Sequence, residues 1–168
     1  MAGPFNTSVD LALTVEGMLP HNTGMPVIDA HEDFARARRA HAAARAARWL
    51  TRRRRLPRTP RTLGDTVGPG GVTRLRVINL AAIVGTMEPT ISFDAYFRPA
   101  TELVRARWER VALAHRRGVP LPPISVLQRP DGYYVVDGRH RVSVARALGF
   151  REIEAWVSSA ADHVRLAA

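Results

Sequence analysis

VVDGRHRVSVARALG, residues 135–149, is the stretch on which the reading of the whole chain turns. An apolar run ends at Asp137, and Gly138 breaks it. Arg141, Val144, Ala145 and Leu148 then recur at helical spacing, and Gly149 closes the pattern. The spacing predicts a strand, a tight glycine turn and a helix over residues 141–148. The first N–H groups of a helix lack intrahelical partners and attract anions. Arg139, His140 and Arg141 stand beside them. Arg141 occupies the first place on the apolar stripe, and two readings of it stay open. Either its guanidinium reaches back to water and Gly138 serves only the turn, or an anion at the helix mouth meets Gly138, Arg139, His140, Arg141 and Ser143. Asp137 has a simpler role as helix cap, which is the favoured one.

Upstream, Ile124 to Leu127 reads as a strand, and Arg129-Pro-Asp-Gly132 as a turn in which proline presets φ and glycine permits positive φ. Residues 133–137 return, making a hairpin. A helix is predicted from near Thr101 to Gly118, with Val104, Trp108, Val111 and His115 on one face. VTRLRVINL, residues 72–80, reads as a strand with Leu75, Val77 and Asn79 facing inward against Arg74 and Arg76. Residues 152–157, EIEAWV, read as a last strand. The order β–α–β–β–α–β is an α+β pattern.

The flanks differ in kind. The chain has 168 residues and a net charge of +10, with 46% hydrophobic residues. All its Lys+Arg content is arginine, so Walker-type phosphate loops and lysine Schiff bases are excluded. There is no cysteine, which excludes disulfides, thiol nucleophiles and thiolate metal sites. Eleven arginines against Glu32 and Asp33 place nine of the ten net charges in residues 31–61. Residues 32–56 are predicted to be a basic helical arm with a thin apolar face, whose Trp49 docks onto the domain. Its partner is expected to be nucleic acid, through Arg45, Arg48, Arg52, Arg53, Arg54 and Arg55, ahead of an anionic membrane. Residues 57–71 carry seven prolines or glycines and read as a linker. The expected division is a loosely ordered segment 1–31, the arm 32–56, the linker 57–71, a folded domain 72–158 and a tail 159–168. No secretory signal or apolar run of spanning length is read in the chain, and a cytoplasmic location without membrane contact is expected. Asp29-Ala-His31-Glu-Asp33 alternates ligand types, but a helix start rich in acids accounts for it, and no metal site is expected.

Residues 123–149 resemble the ParB/sulfiredoxin-like superfamily, through Pro123, Ile124, Val126, Gly138, His140, Arg141, Ala145, Leu148 and Gly149 in order. The resemblance covers roughly residues 75–158. It implies a small α+β domain with a central mixed sheet and a β-hairpin, which holds a nucleotide at the Gly138-x-x-Arg141 turn. Relatives that partition chromosomes bind CTP with magnesium there and clamp DNA. The resemblance therefore implies CTP or another nucleoside triphosphate with Mg, a DNA-associated role, and a homodimer; Asp137 is then a candidate to help hold the metal–nucleotide. Sulfiredoxins carry their catalytic cysteine where Arg139 stands, so their chemistry is excluded. The Gln-Pro-Arg box of partition proteins is matched only by Phe97-Arg98-Pro99, displaced and reordered. Residues 159–168 leave no room for their helix-turn-helix, and sequence-specific DNA binding is not expected. Two other readings remain: an enzyme of the same fold (nucleoside triphosphatase, nuclease or phosphotransferase), with Glu88 or Asp94 as base, or a degenerate interaction domain.

Overall fold

The computed structural model describes residues 22–50, 59–63 and 73–159. Element order is α1 (Pro26–Leu50), β1 (Arg61–Thr62), β2 (Arg74–Asn79), β3 (Ile83–Thr86), α2 (Arg105–Arg116), β4 (Ile124–Arg129), β5 (Gly132–Asp137), α3 (Arg139–Ala147) and β6 (Glu152–Ser159). The fold is α+β, with a six-stranded mixed sheet in the order β1-β3-β5-β4-β6-β2. β4 and β5 form the hairpin, and β6 runs parallel to β4 and antiparallel to β2.

Two buried clusters lie on either side of α3. Val142 and Ala145 pack with Ile124, Val126, Val135, Ala155 and Val157 of the sheet. Val144 joins Phe93, Val104, Trp108 and Ala112, together with Ala30, Phe34 and Ala37 from α1. The ring of Phe34 meets Trp108 edge-on, with centroids 5.5 Å apart. The Trp108 indole Nε1 donates to Ser143 Oγ at 2.8 Å, so the buried ring keeps its polar atom satisfied.

Several expectations need correction. α1 begins at Pro26, inside the segment expected to be loose. Proline at the first helical position has its φ preset and gives up only an N–H that a helix start leaves unpaired. Ala30, Phe34 and Ala37 fall at i, i+4 and i+7, and burying this short stripe makes the first half of α1 part of the domain rather than a separate arm. Trp49 does not dock; it is 80% exposed. Arg61–Thr62, in the expected linker, pairs in parallel with β3. β3 itself was not expected. Leu75 and Val77 face outward and Ile78 inward, the reverse of the predicted alternation. β2 is an edge strand, and only its Ile78 end reaches the core, while Leu75 lies opposite Trp156 on the exposed face. Expectations that fall on residues 1–21, 51–58, 64–72 and 160–168 lie outside the described residues.

Candidate functional site

β5 delivers the chain to Gly138, whose φ of 105° is open to glycine and strained for other residues. A Cβ there would stand 2.5 Å from Ile124 Cγ2. The chain then turns directly into α3, beginning at Arg139, with Val142 N–H donating to Gly138 O at 3.0 Å. No side chain caps this start. The Asp137 carboxylate does not cap it either, contrary to the favoured reading; it accepts from Arg141 Nη2 at 2.6 Å.

Arg141 is held on three sides. Its Nη1 donates to the Pro122 carbonyl at 2.5 Å and to the Pro123 carbonyl at 2.7 Å. With Asp137 these bonds fasten the helix start to the mouth of β4 and the end of β5. Arg141 thus neither drifts to water nor depends on a phosphate. Arg139 extends outward, and its Nη2 reaches Glu88 Oε2 at 3.3 Å. His140 packs edge-on against Phe93 at 5.2 Å. Burial, reinforced by the nearby Arg107 and Arg139, lowers its pKa to about 4, so the imidazole is neutral near pH 7.

Asp137, Arg139, His140 and Arg141 therefore gather at the mouth of α3, and Glu88 joins them through Arg139. Ser143 does not: it is buried and faces Trp108. Asp94 is also elsewhere. It is fully buried and accepts from the Tyr96 and Arg98 backbone N–H groups and from Arg98 Nε, with the His41 ring at 3.1 Å. These bonds lock the Phe93–Pro99 loop and leave Asp94 no role at the turn. Arg98 is drawn to Asp94 and the Ala40 carbonyl rather than to the turn. Among the described residues no group of three or more His, Asp or Glu is placed to hold a metal ion.

A second candidate surface is the outer half of α1. No residue from Ala42 to Leu50 is buried. Arg39, Arg45 and Arg48 make no ion pair among the described residues. This contrasts with the inner half, where Asp29 and Asp33 pair with Arg116 of α2. Arg52, Arg53, Arg54 and Arg55 lie outside the described residues. No helix among the described residues is long and apolar enough to cross a membrane.

No family matches the chain, and no curated protein does. Among solved structures it is similar to sulfiredoxin from Arabidopsis thaliana, with 19% identity over 55% of this chain and 94% of that one and a TM-score of 0.38. That likeness is one of fold.

Proposed function

We propose that the protein is a nucleotide-binding, nucleic-acid-associated module of the cytoplasm. The observation that carries this reading is the outer half of α1, where Arg45 and Arg48 make no ion pair among the described residues, beside four more arginines in the sequence at positions 52–55. Guanidiniums grouped along one helix suit a phosphate backbone, with which they exchange counterions for direct contacts.

The nucleotide belongs, on this reading, at the Gly138 turn. The uncapped N–H groups of α3 and the Arg139 guanidinium would meet phosphate oxygens, and the neutral His140 ring offers one N–H donor. Arg141 acts here by holding the turn in shape. CTP or another nucleoside triphosphate fits this donor set. Magnesium fits it less well, because Asp137, the carboxylate within the turn, is engaged by Arg141, so no step is assigned to the metal. Glu88 beside Arg139 supports a second reading, phosphoryl transfer, which needs a carboxylate base near the phosphate.

The test is fluorescence anisotropy of a labelled DNA duplex across a salt series. The expected result is affinity that falls steeply with salt and flattens when Arg45, Arg48 and Arg52–Arg55 are all changed to glutamine. Each lost phosphate contact should reduce the slope of log K against log salt by about 0.9. An unchanged slope would move the contact surface elsewhere. Titration with CTP, ATP, GTP and UTP, with and without magnesium, tests the turn, and release of labelled phosphate tests transfer.

A further inference from the structure

A cavity of about 730 Å³ opens between α1, α3 and the loop before α2, toward the end of α3 opposite Gly138. This volume is in the range of small-molecule pockets, roughly 300–1,000 Å³. Among the described residues four cations line it, Arg36, Arg98, Arg146 and Arg151, and no acidic residue does. Arg36 and Arg98 are neutralised from behind by Asp33 and Asp94. Arg146 and Arg151 make no ion pair among the described residues.

Arg146 is largely buried and makes no ion pair among the described residues. Its Nη2 donates to the Leu80 carbonyl at 2.6 Å and the Ile83 carbonyl at 3.0 Å, and its guanidinium lies 5.1 Å from the centre of the Phe97 ring. Burial lowers its pKa, and the nearby Asp94 and Tyr96 offset this only in part. A desolvated charge without a directly paired carboxylate is costly. Arg151, on the same wall, has no ion pair among the described residues. Tyr96 and Phe150 also line the cavity, and both rings are substantially exposed. Exposed aromatic faces beside spare guanidinium donors suit a ligand with an oxyanion at one end and a flat apolar body at the other.

We propose that this cavity binds a small organic anion, a phosphate or carboxylate borne on a ring, with Arg146 and Arg151 on the oxyanion and Tyr96 and Phe150 on the ring. The site is separate from the Gly138 turn and does not rest on nucleotide binding there.

Calorimetric titration of the full chain with phenyl phosphate, benzoate and inorganic phosphate tests it. Phenyl phosphate or benzoate should saturate with a Kd on the order of 1 mM or below, and the preferred one shows which head group the site takes. Inorganic phosphate should bind about tenfold more weakly, lacking the ring. Arg151→Ala and Phe150→Ala, both at exposed positions, should each weaken binding about tenfold, while Arg139→Ala leaves it unchanged. The proposal falls if neither ring compound saturates, if Arg151→Ala binds as the wild type does, or if inorganic phosphate binds as tightly as both ring compounds. Loss of binding in Arg139→Ala would place the anion at the α3 turn and overturn it equally.

Discussion

Asp33 of α1 and Arg116 of α2 meet in a two-pronged ion pair, with Nε donating to Oδ2 at 2.6 Å and Nη2 to Oδ1 at 2.9 Å. Asp33 is fully buried, and Arg36 of its own helix also pairs with it. Arg116 reaches Asp29 one turn earlier, at 3.2 Å. Removing one partner of a buried pair strands the other, at a cost of about 3–5 kcal/mol. Asp33→Asn should therefore cost about 3 kcal/mol, the low end because Asp29 stays with Arg116. Urea unfolding measures it. A midpoint equal to wild type would show that α1 contributes little to the domain.

Arg141→Ala should destabilise the fold. It removes the donors to Pro122 and Pro123 and frees Asp137. Hydrogen bonds to charged groups are each worth about 1.5–3 kcal/mol, and a loss of about 2–3 kcal/mol in all is expected because Asp137 returns to water. Arg141→Lys should recover only part of this, since an ammonium cannot span the same three acceptors in one plane. Thermal unfolding of the two variants separates the outcomes; an unaffected Arg141→Ala protein would mean that the turn holds itself.

Gly138→Ala tests the turn from the backbone side. The substitution meets both the φ of 105° and Ile124 at 2.5 Å. A non-glycine residue held in such a conformation costs about 1–3 kcal/mol. Chemical denaturation should show at least that loss, and nucleotide affinity measured on the folded fraction should fall with it.

His140 sets a pH dependence. In the unfolded chain it takes a proton near its ordinary value of about 6.5, whereas in the fold it does so only near about 4. Between these values the unfolded state binds more protons, so stability falls as pH drops through the window and this loss is complete below about 4. His140→Phe keeps a ring against Phe93 and removes the titration. It should lose less stability than the wild type between pH 6.5 and about 4. Parallel unfolding curves for the two proteins across that range would contradict the assignment.

The elements readable in advance are those encoded by neighbours in sequence. The hairpin turn at Arg129–Gly132, the glycine start of α3 and the Val104–Trp108–Val111 stripe that runs into α2 each carry their signal within a few residues. β3 does not. Ile83–Thr86 is short, and Gly85 within it looks like a breaker. The glycine is there because the Arg61 carbonyl crosses so closely that a Cβ would lie 2.3 Å from it. Such an approach is invisible until β1 and β3 are placed side by side. Arg141 is legible as an unusual residue with Asp137 one helical turn before it, but its other partners are the Pro122 and Pro123 backbone carbonyls, which no residue code announces. The acids at 29 and 33 looked like helix-dipole partners, and only the packing of α2 reveals Arg116 opposite them.

The position of β6 in the sheet bears on how the protein is made. β6 lies between β4 and β2, and it pairs Arg74 with Val157 across most of the domain's sequence. Before Glu152–Ser159 leaves the ribosome, β2 has no neighbour to join and the Ile78 end of the core stays uncovered. β1, β3, β5 and β4 can assemble during synthesis, but the sheet closes only when its last strand is inserted between two that were made earlier. Contacts so distant in sequence fold slowly. The nascent chain therefore carries an unpaired strand, bearing Leu75 and Val77, until Glu152–Ser159 has been made. That interval is when it is most exposed to mispairing with another copy and to the chaperones that prevent it.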